Sequence, residues 1–308
     1  MMELYCGFDL GGTRLKYGLV DTDGSVILDD SEKSPQKTKD LFTLFKKLLT
    51  NLTLSQQQAI KAVGFAFPGI FSQREQKIIQ SPNYPSLDGK ELVPLLTPLI
   101  DKPFFINNDA NLAAYGEYCV GAGKNAQSLV LLTIGTGVGS GIILDGRIWQ
   151  GACGFAGELG HVCVNPDGDR CNCGSRGCLE TEVSASKIAR LYQSYSHTDK
   201  EASSESVFLA AKGGDKAALN AFAHVGYYLG IGLSIVINFL NPEKILLGGG
   251  VMKSAEFLMP PALDEAKKRS YTASFACCGI ERTKLGNKAG FIGAALWARD
   301  NFDNPSRG

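Results

Sequence analysis

The stretch DLGGTRLKYGLV at residues 9–20 decides the fold, because it places a glycine-rich turn between two strand-like runs. Residues 4–8 form a short apolar run before the turn, and residues 15–20 alternate well enough for a second strand. Asp23 and Gly24 form a hairpin signal and predict a third strand at residues 25–28. The chain is therefore predicted to open as strand, glycine-rich turn, strand, tight turn and strand.

The same order returns later in the chain. An apolar run at residues 128–134 precedes GTGVGSG at 135–141, and a second run at 142–144 precedes Asp145 and Gly146. We interpret this repeat as two related halves, although any α/β protein offers several glycine-rich turns. The remaining periodicity predicts alternating strands and helices. Strands are predicted at 62–67, 104–106 and 244–247, helices at 38–50, 112–119, 184–195, 204–212, 216–240, 257–268 and 289–302, a short helix at 91–99, and a loop at 73–85.

Composition limits the classes of function. The chain has 308 residues, which predicts one large or two medium domains, and its 44% hydrophobic content is that of a globular protein. The 31 basic residues equal the 31 acidic ones, which argues against a nucleic-acid partner. We find no signal peptide at the N-terminus and expect a cytoplasmic protein. The apolar residues 221–240 suggest either a membrane span or a buried helix; His224 and Asn238 within them favour the buried helix.

Two glycine-rich turns are candidate phosphate sites, because glycines let backbone N–H groups approach an anion closely. In the first turn the Thr13 hydroxyl adds a donor, and Asp9 can hold Mg²⁺ through water. A plain tight turn is the alternative, and the chain contains no Walker A sequence. The second turn, at Gly135, Thr136 and Gly137, offers the same kind of donors, so the two turns together predict a clamp for a polyphosphate.

One histidine and three cysteines provide a complete tetrahedral ligand set for a structural zinc ion. They are His161, Cys171, Cys173 and Cys178. The alternatives are a Cys171–Cys178 disulfide or free thiols, and Cys163 is a fifth candidate ligand.

Asp109 is the candidate catalytic residue. It follows the predicted strand at 104–106 and precedes a helix, which places it at the carboxyl end of a sheet. A carboxylate there can accept a hydroxyl proton during phosphoryl transfer. From the residues alone, an N-cap of the following helix explains Asp109 equally well.

Six motifs occur in one order and together resemble the ROK family of bacterial sugar kinases and repressors. They are DLGGT at 9–13, NDAN at 108–111, GTGVGSG at 135–141, GELGH at 157–161, CNCGSRGCLE at 171–180 and GGGV at 248–251. The resemblance implies an α/β, actin-like ATPase (hexokinase/ribonuclease-H-like) fold with two lobes around a central cleft. We expect a smaller lobe at 1–118, with a final helix within 289–308 packing back on it, and a larger lobe at 119–288 that carries the zinc loop.

The resemblance also implies the activity and the site. We expect ATP-dependent phosphorylation of a hexose at its 6-hydroxyl, with Mg²⁺, a structural Zn²⁺ and Asp109 as the base. Sugar hydroxyls are expected on Asn83, Asn108, Asp109, Glu158, His161 and Glu180; ATP and Mg²⁺ are expected on Asp9, Gly11, Gly12, Thr13, Gly135, Thr136 and Gly137, with the adenosine side on Gly248, Gly249 and Gly250.

The substrate and assembly are less closely defined by the resemblance. Glucose is the first expectation, and N-acetylmannosamine, N-acetylglucosamine, mannose, fructose and allose stay open. A sugar-responsive repressor is the alternative from another class; it is disfavoured because the first motif begins at Asp9 and no helix-turn-helix precedes it. A homodimer is the family-level expectation, without a nucleic-acid or membrane partner.

Overall fold

The computed structural model describes residues 2–72, 74–81, 83–197 and 201–304. Two compact units are present. Unit 1 comprises Met1–Ala126, Gly141–Gly157 and Lys284–Gly308, and unit 2 comprises Gln127–Ser140 and Glu158–Thr283.

Unit 1 is built on a five-stranded sheet with strand order β3-β2-β1-β4-β7. Its strands are β1 Leu4–Leu10, β2 Arg14–Asp21, β3 Val26–Lys33, β4 Ile60–Phe67 and β7 Phe104–Asn108, and a separate hairpin is formed by β5 Ile70–Ser72 and β6 Lys77–Gln80. Strands β1, β4 and β7 are parallel, with Asp9 opposite Ala66 and Phe67 opposite Asn108. The carboxyl ends of all three therefore lie at one edge of the sheet.

Helices cover both faces of this sheet. They are α1 Thr38–Thr50, α2 Leu54–Ala59, α3 Val93–Leu96, α4 Asp109–Val120 and α11 Ala289–Asp303. On one face, Phe45 of α1 packs on Phe8 and Phe65, with ring centroids 5.1 and 4.9 Å away. On the other face, α11 packs against β4 at Gly64, where a Cβ would overlap the backbone of Ala294. Glycine at this position permits the close approach of helix and strand.

A second five-stranded sheet has the order β10-β9-β8-β11-β12, which repeats the pattern of the first. Its strands are β8 Ser128–Ile134, β9 Val138–Leu144, β10 Arg147–Ile148, β11 Lys244–Gly248 and β12 Gly279–Arg282. Strand β11 runs parallel to both β8 and β12. The helices of unit 2 are α5 Leu179–Val183, α6 Ala185–Ser196, α7 Ser204–Lys212, α8 Lys216–Leu240, α9 Ala255–Arg269 and α10 Thr272–Cys277.

Among the described residues, α8 is the one helix long and apolar enough to span a membrane by length and composition. Half of its most apolar window is buried in the structure, with Phe222, Leu229 and Leu233 fully enclosed. One helix of this kind is weak evidence for a span.

Several elements differ from the sequence-based expectations. The third strand extends to Lys33, and the region predicted as loop at 73–85 contains strand β6, which pairs with β5. Helix α3 has only four residues, and α4 begins at Asp109 rather than at residue 112. Residues 305–308 of the expected C-terminal segment lie outside the described residues.

Candidate active site and metal loop

The first glycine-rich turn connects β1 to β2 at the carboxyl edge of the unit 1 sheet. Gly11 N–H donates to the Arg14 carbonyl at 3.0 Å and closes the turn. Ser34, which is buried, donates its hydroxyl to Gly11 O at 2.6 Å and its N–H to Thr13 O at 2.9 Å. Gly12 and Thr13 remain exposed, so this turn presents its tip to solvent.

Asp9 lies at the end of β1 with only 14% of its side chain exposed. Its Oδ2 lies 3.4 Å from Lys16 Nζ, and a Cβ at Gly290 would lie 2.5 Å from the carboxylate. Burial raises the pKa of Asp9, and the nearby Lys16 ammonium opposes that rise. A divalent cation would offset the same desolvation cost.

Asn108 and Asp109 follow β7 at the same edge. Asn108 is the N-cap of α4: its Oδ1 accepts a hydrogen bond from Asn111 N at 3.0 Å, and its Nδ2 donates to Gly69 O at 2.9 Å. Asp109 is therefore the first helical residue and not the cap. It is half-buried, and its Oδ1 accepts from Ala110 N at 2.9 Å.

A buried amide group behind Asn108 was not predicted from the sequence. Asn107 Oδ1 accepts hydrogen bonds from Asn108 N at 2.8 Å, Asn111 Nδ2 at 3.3 Å and Gln150 Nε2 at 3.1 Å. The polar run at residues 107–111 was the available signal, but only the fold shows that Gln150 reaches it. This group fixes the backbone that carries Asn108.

Asn83 lies next to the first glycine-rich turn. Its amide atoms lie 3.3 Å from the position that a Cβ of Gly12 would take, and the residue is exposed. Unit 1 thus contains, at one sheet edge, the predicted residues Asp9, Gly11, Gly12, Thr13, Asn83, Asn108 and Asp109.

In unit 2, two glycine-rich turns lie side by side because β8 and β11 are parallel neighbours. Gly135 N–H donates to Gly137 O at 2.9 Å, and Gly135 O accepts from Ala185 N at 2.8 Å. Gly249 has φ +89°, and a Cβ there would overlap the Ile134 backbone at the end of β8. Both turns therefore form one glycine-lined surface at the carboxyl ends of β8 and β11.

Glu180 contacts this surface from α5. Its Oε2 accepts a hydrogen bond from Val138 N at 3.0 Å. The turn at Leu159–His161 packs on the same strand, since a Cβ at Gly160 would overlap Val138 O and Ser140 Oγ accepts from Leu159 N at 3.3 Å.

Glu158 and His161 form a weak ion pair in that turn. Glu158 Oε2 lies 3.8 Å from His161 Nε2, and half of the Glu158 side chain is exposed. Partial burial raises the pKa of Glu158; His161 opposes the rise and Glu180 adds to it. The side chains of Glu158, Glu180 and His161 therefore lie in one small region. Carboxylates and imidazoles can form hydrogen bonds with hydroxyl groups.

The four predicted metal ligands converge in the segment at residues 161–178, the metal loop. Their ligand atoms all lie within 4.8 Å of one another. His161 Nδ1 lies 3.5 Å from Cys171 Sγ, and the sulfurs of Cys173 and Cys178 are 3.6 Å apart. Tetrahedral zinc with 2.3 Å bonds separates two sulfurs by about 3.8 Å, so the spacing fits zinc.

The thiols of the metal loop also differ in proton affinity. Burial raises the pKa of Cys178 to about 12, while a backbone hydrogen bond at Ser175 lowers that of Cys173. All nine cysteines lie among the described residues and none of them forms a disulfide, so Cys171 and Cys178 are not bonded to each other. Cys163 is exposed and does not belong to the four-ligand group found among the described residues.

Comparison with known proteins identifies the class. The structure superposes on a ROK family glucokinase from Streptomyces griseus, solved with glucose and AMPPNP, with a TM-score of 0.83 and 27% identity over 96% of this chain and 99% of that chain. The α/β class and the actin-like ATPase fold predicted from the sequence are thereby confirmed.

Residues 5–301 match the ROK family, and the chain belongs to this family. A glucokinase of Halalkalibacterium halodurans is 34% identical over an alignment of 330 positions, which covers 99% of this chain and 97% of that protein. A xylose repressor of Bacillus subtilis is 31% identical over 303 residues, covering 96% of this chain and 77% of the repressor. The glucokinases among the relatives support a sugar kinase.

Proposed function

We propose that the protein is an ATP-dependent hexose kinase that phosphorylates the 6-hydroxyl of glucose. The observation that carries this proposal is the position of Asp109. It lies at the carboxyl end of β7 as the first residue of α4, half-buried, while Asn108 fills the role of helix cap. The carboxylate is therefore not required as the helix N-cap.

The proposed reaction needs one proton acceptor. The sugar O6 attacks the γ-phosphorus of ATP, the bond to the bridging oxygen of ADP breaks, and the O6 proton passes to Asp109. Asn108 uses one amide hydrogen for Gly69 O and one lone pair for Asn111 N. Its second hydrogen and second lone pair suit a sugar hydroxyl.

In unit 2 we propose Glu158, His161 and Glu180 as further hydroxyl ligands. ATP is proposed to use the two glycine-rich turns that begin at Gly11 and Gly135 for its phosphates, and the turn at 248–250 for its adenosine. Asp9 would hold Mg²⁺, which neutralises phosphate charge.

A zinc ion on His161, Cys171, Cys173 and Cys178 would supply structural cross-linking. In the structure His161 directs Nδ1 toward the thiols and Nε2 toward Glu158, so a metal ligand and a proposed sugar ligand share one turn.

The test is turnover of ATP with a panel of hexoses, using Asp109→Asn and the control Asp101→Asn. Asp101 is exposed and precedes β7 at its opposite, amino end. Loss of a general base costs about 10²–10⁴ in rate. We expect that loss in kcat for Asp109→Asn, a hexose Kd within threefold of wild type, and a control near wild type. A near-normal kcat for Asp109→Asn would refute the base role.

A sugar-responsive repressor is the second candidate, favoured by the similarity to the Bacillus subtilis xylose repressor. A wild-type chain that binds a sugar but turns over no ATP with any hexose would support the repressor against the kinase.

The same panel of hexoses distinguishes glucose from N-acetylmannosamine, N-acetylglucosamine, mannose, fructose and allose. A homodimer stays a prediction, which sedimentation would test.

A further inference from the structure

Glu182 is a fully buried carboxylate that the proposed reaction does not use. It lies on α5 and contacts three other elements. Its Oε1 accepts a hydrogen bond from Asn165 Nδ2 at 3.0 Å. Its Oε2 lies 2.9 Å from Lys187 Nζ on α6 and 3.6 Å from His224 Nε2 on α8.

These partners keep Glu182 ionised. Burial alone would raise its pKa, but His224, Lys187 and Asn165 outweigh burial and lower it to about 2. Lys187 also lies 3.2 Å from Asp169 in the metal loop. Burying a carboxylate costs free energy unless it is paired and hydrogen-bonded. The partners of Glu182 therefore indicate its structural role.

Glu182 holds the metal loop at Asn165. Asn165 N–H donates to Gly177 O at 3.1 Å, and its carbonyl accepts from Gly168 N at 2.8 Å. A Cβ at Gly177 would overlap that carbonyl, and one at Gly168 would lie 2.5 Å from Glu182 Oε1. The carboxylate thus fills the inside of the turn at 165–168. Because Gly177 directly precedes the ligand Cys178, the position of Asn165 sets the position of a metal ligand.

Helix α5 carries two carboxylates with different partners. Glu180 and Glu182 are two residues apart, and at about 100° per residue their side chains leave the helix in nearly opposite directions. Glu180 accepts from Val138 N beside the glycine-rich turn, and Glu182 accepts from Asn165 in the metal loop.

We propose that Glu182 is a positioning residue. It anchors the metal loop to α5 through a contact that does not depend on a bound metal ion, and it thereby fixes the orientation of Glu180. For Glu180 this inference rests on the proposed function; for the metal loop it is independent of it. The anchor is the hydrogen bond from Asn165, and the ion pair with Lys187 keeps the accepting carboxylate in place.

Three single variants, one double variant and one control separate this role from a general loss of stability. Glu182→Leu removes the acceptor, Glu182→Gln keeps it, and Asn165→Ala removes the donor from the loop side. The control Glu256→Gln breaks an exposed ion pair with Lys212, elsewhere in unit 2.

The measurements are zinc release to a chromogenic chelator, hydrogen exchange over residues 163–170, and hexose KM with kcat. We expect Glu182→Leu and Asn165→Ala to speed both zinc release and exchange at least tenfold, because a hydrogen bond to a buried carboxylate is lost. Hexose KM should rise about tenfold with kcat within threefold. Glu182→Gln keeps the acceptor for Asn165 but loses the ion pair with Lys187, so its effects should be clearly smaller than those of Glu182→Leu. The control should stay within threefold of wild type. The double variant Glu182→Leu/Asn165→Ala should be no worse than the stronger single variant.

Wild-type exchange and zinc release in folded Asn165→Ala would overturn the proposal, and so would equal effects of the leucine and glutamine variants at position 182. If the wild-type chain phosphorylates no hexose, the proposed function fails while exchange still decides the anchoring role. If purified protein holds no zinc, exchange over residues 163–170 by itself decides the anchoring role.

Discussion

Two glycines of the metal loop allow a matched test of how that loop is held. Gly177 and Gly174 have φ of +66° and +92°, where alanine costs about 1–2 kcal/mol. Their surroundings differ: a Cβ at residue 177 would overlap the carbonyl of Asn165, whereas one at residue 174 meets nothing within 4 Å. Gly177→Ala therefore adds a steric effect that Gly174→Ala lacks.

The magnitude follows from the bonds that the overlap would break. Gly177 O accepts from Val164 N at 2.8 Å and from Asn165 N at 3.1 Å, and Asn165 O accepts from Gly168 N at 2.8 Å. At about 0.5–1.5 kcal/mol per bond, on top of the backbone cost, Gly177→Ala should lower the opening free energy of the loop by roughly 3–6 kcal/mol. Gly174→Ala should lower it by about 1–2 kcal/mol.

Hydrogen exchange in the metal loop measures these opening free energies, and zinc release to a chelator gives a second reading. A difference of about 1.4 kcal/mol is a factor of ten, so the two variants should differ by at least tenfold in exchange rate. Circular dichroism and melting would show that both variants are folded. Equal losses in the two variants would refute the reasoning, because the contact with Asn165 would then contribute nothing beyond backbone strain.

Zinc content, sugar affinity and acid stability provide three further tests. Elemental analysis should find about one zinc per chain, reduced in Cys173→Ser and retained in Cys163→Ser. Gly137→Ala would press on the Glu180 carboxylate, while Gly135→Ala meets nothing within 4 Å, so a rise in hexose KM of about tenfold is expected only for Gly137→Ala; equal KM values would contradict it. Glu182 has a folded pKa of about 2, below its unfolded value of about 4.3, so its stabilisation is complete above the unfolded pKa and is lost as pH falls through about 2. Acid unfolding should accordingly depend less on pH in Glu182→Gln.

Local signals in the sequence were sufficient for much of the fold. Helix α1 spans Thr38–Thr50, as its apolar spacing predicts, and the strands around both glycine-rich turns are in place. The sequence predicts a loop where strand β6 forms, because its four residues lie in a polar, proline-containing region and become a strand only by pairing with β5. Such pairing is a tertiary interaction, which residue propensity does not report.

The candidate site likewise contains residues that could be predicted from the sequence and residues that could not. The cluster of His161, Cys171, Cys173 and Cys178 could be predicted, since four residues that can bind a metal lie within eighteen positions of the chain. Glu182 and Asn107 could not, because their importance comes from burial and from partners such as His224 and Gln150 that are distant in sequence. The sequence offered only a second glutamate in LETEV at 179–183 and an asparagine-rich run at 107–111.

The contact between Glu180 and Val138 bears on how unit 2 would recognise its two substrates. Val138 N–H is directed at the Glu180 carboxylate, and Gly135 N–H at Gly137 O. Under the proposed function, the N–H groups of Thr136 and Gly137 and the Thr136 hydroxyl would be the donors of this turn to phosphate. Under the proposed function, a carboxylate that binds sugar also fixes the backbone beside these donors. Sugar-binding and phosphate-binding groups of unit 2 then form one hydrogen-bonded structure, so a change that moves Glu180 should alter hexose KM and ATP KM together.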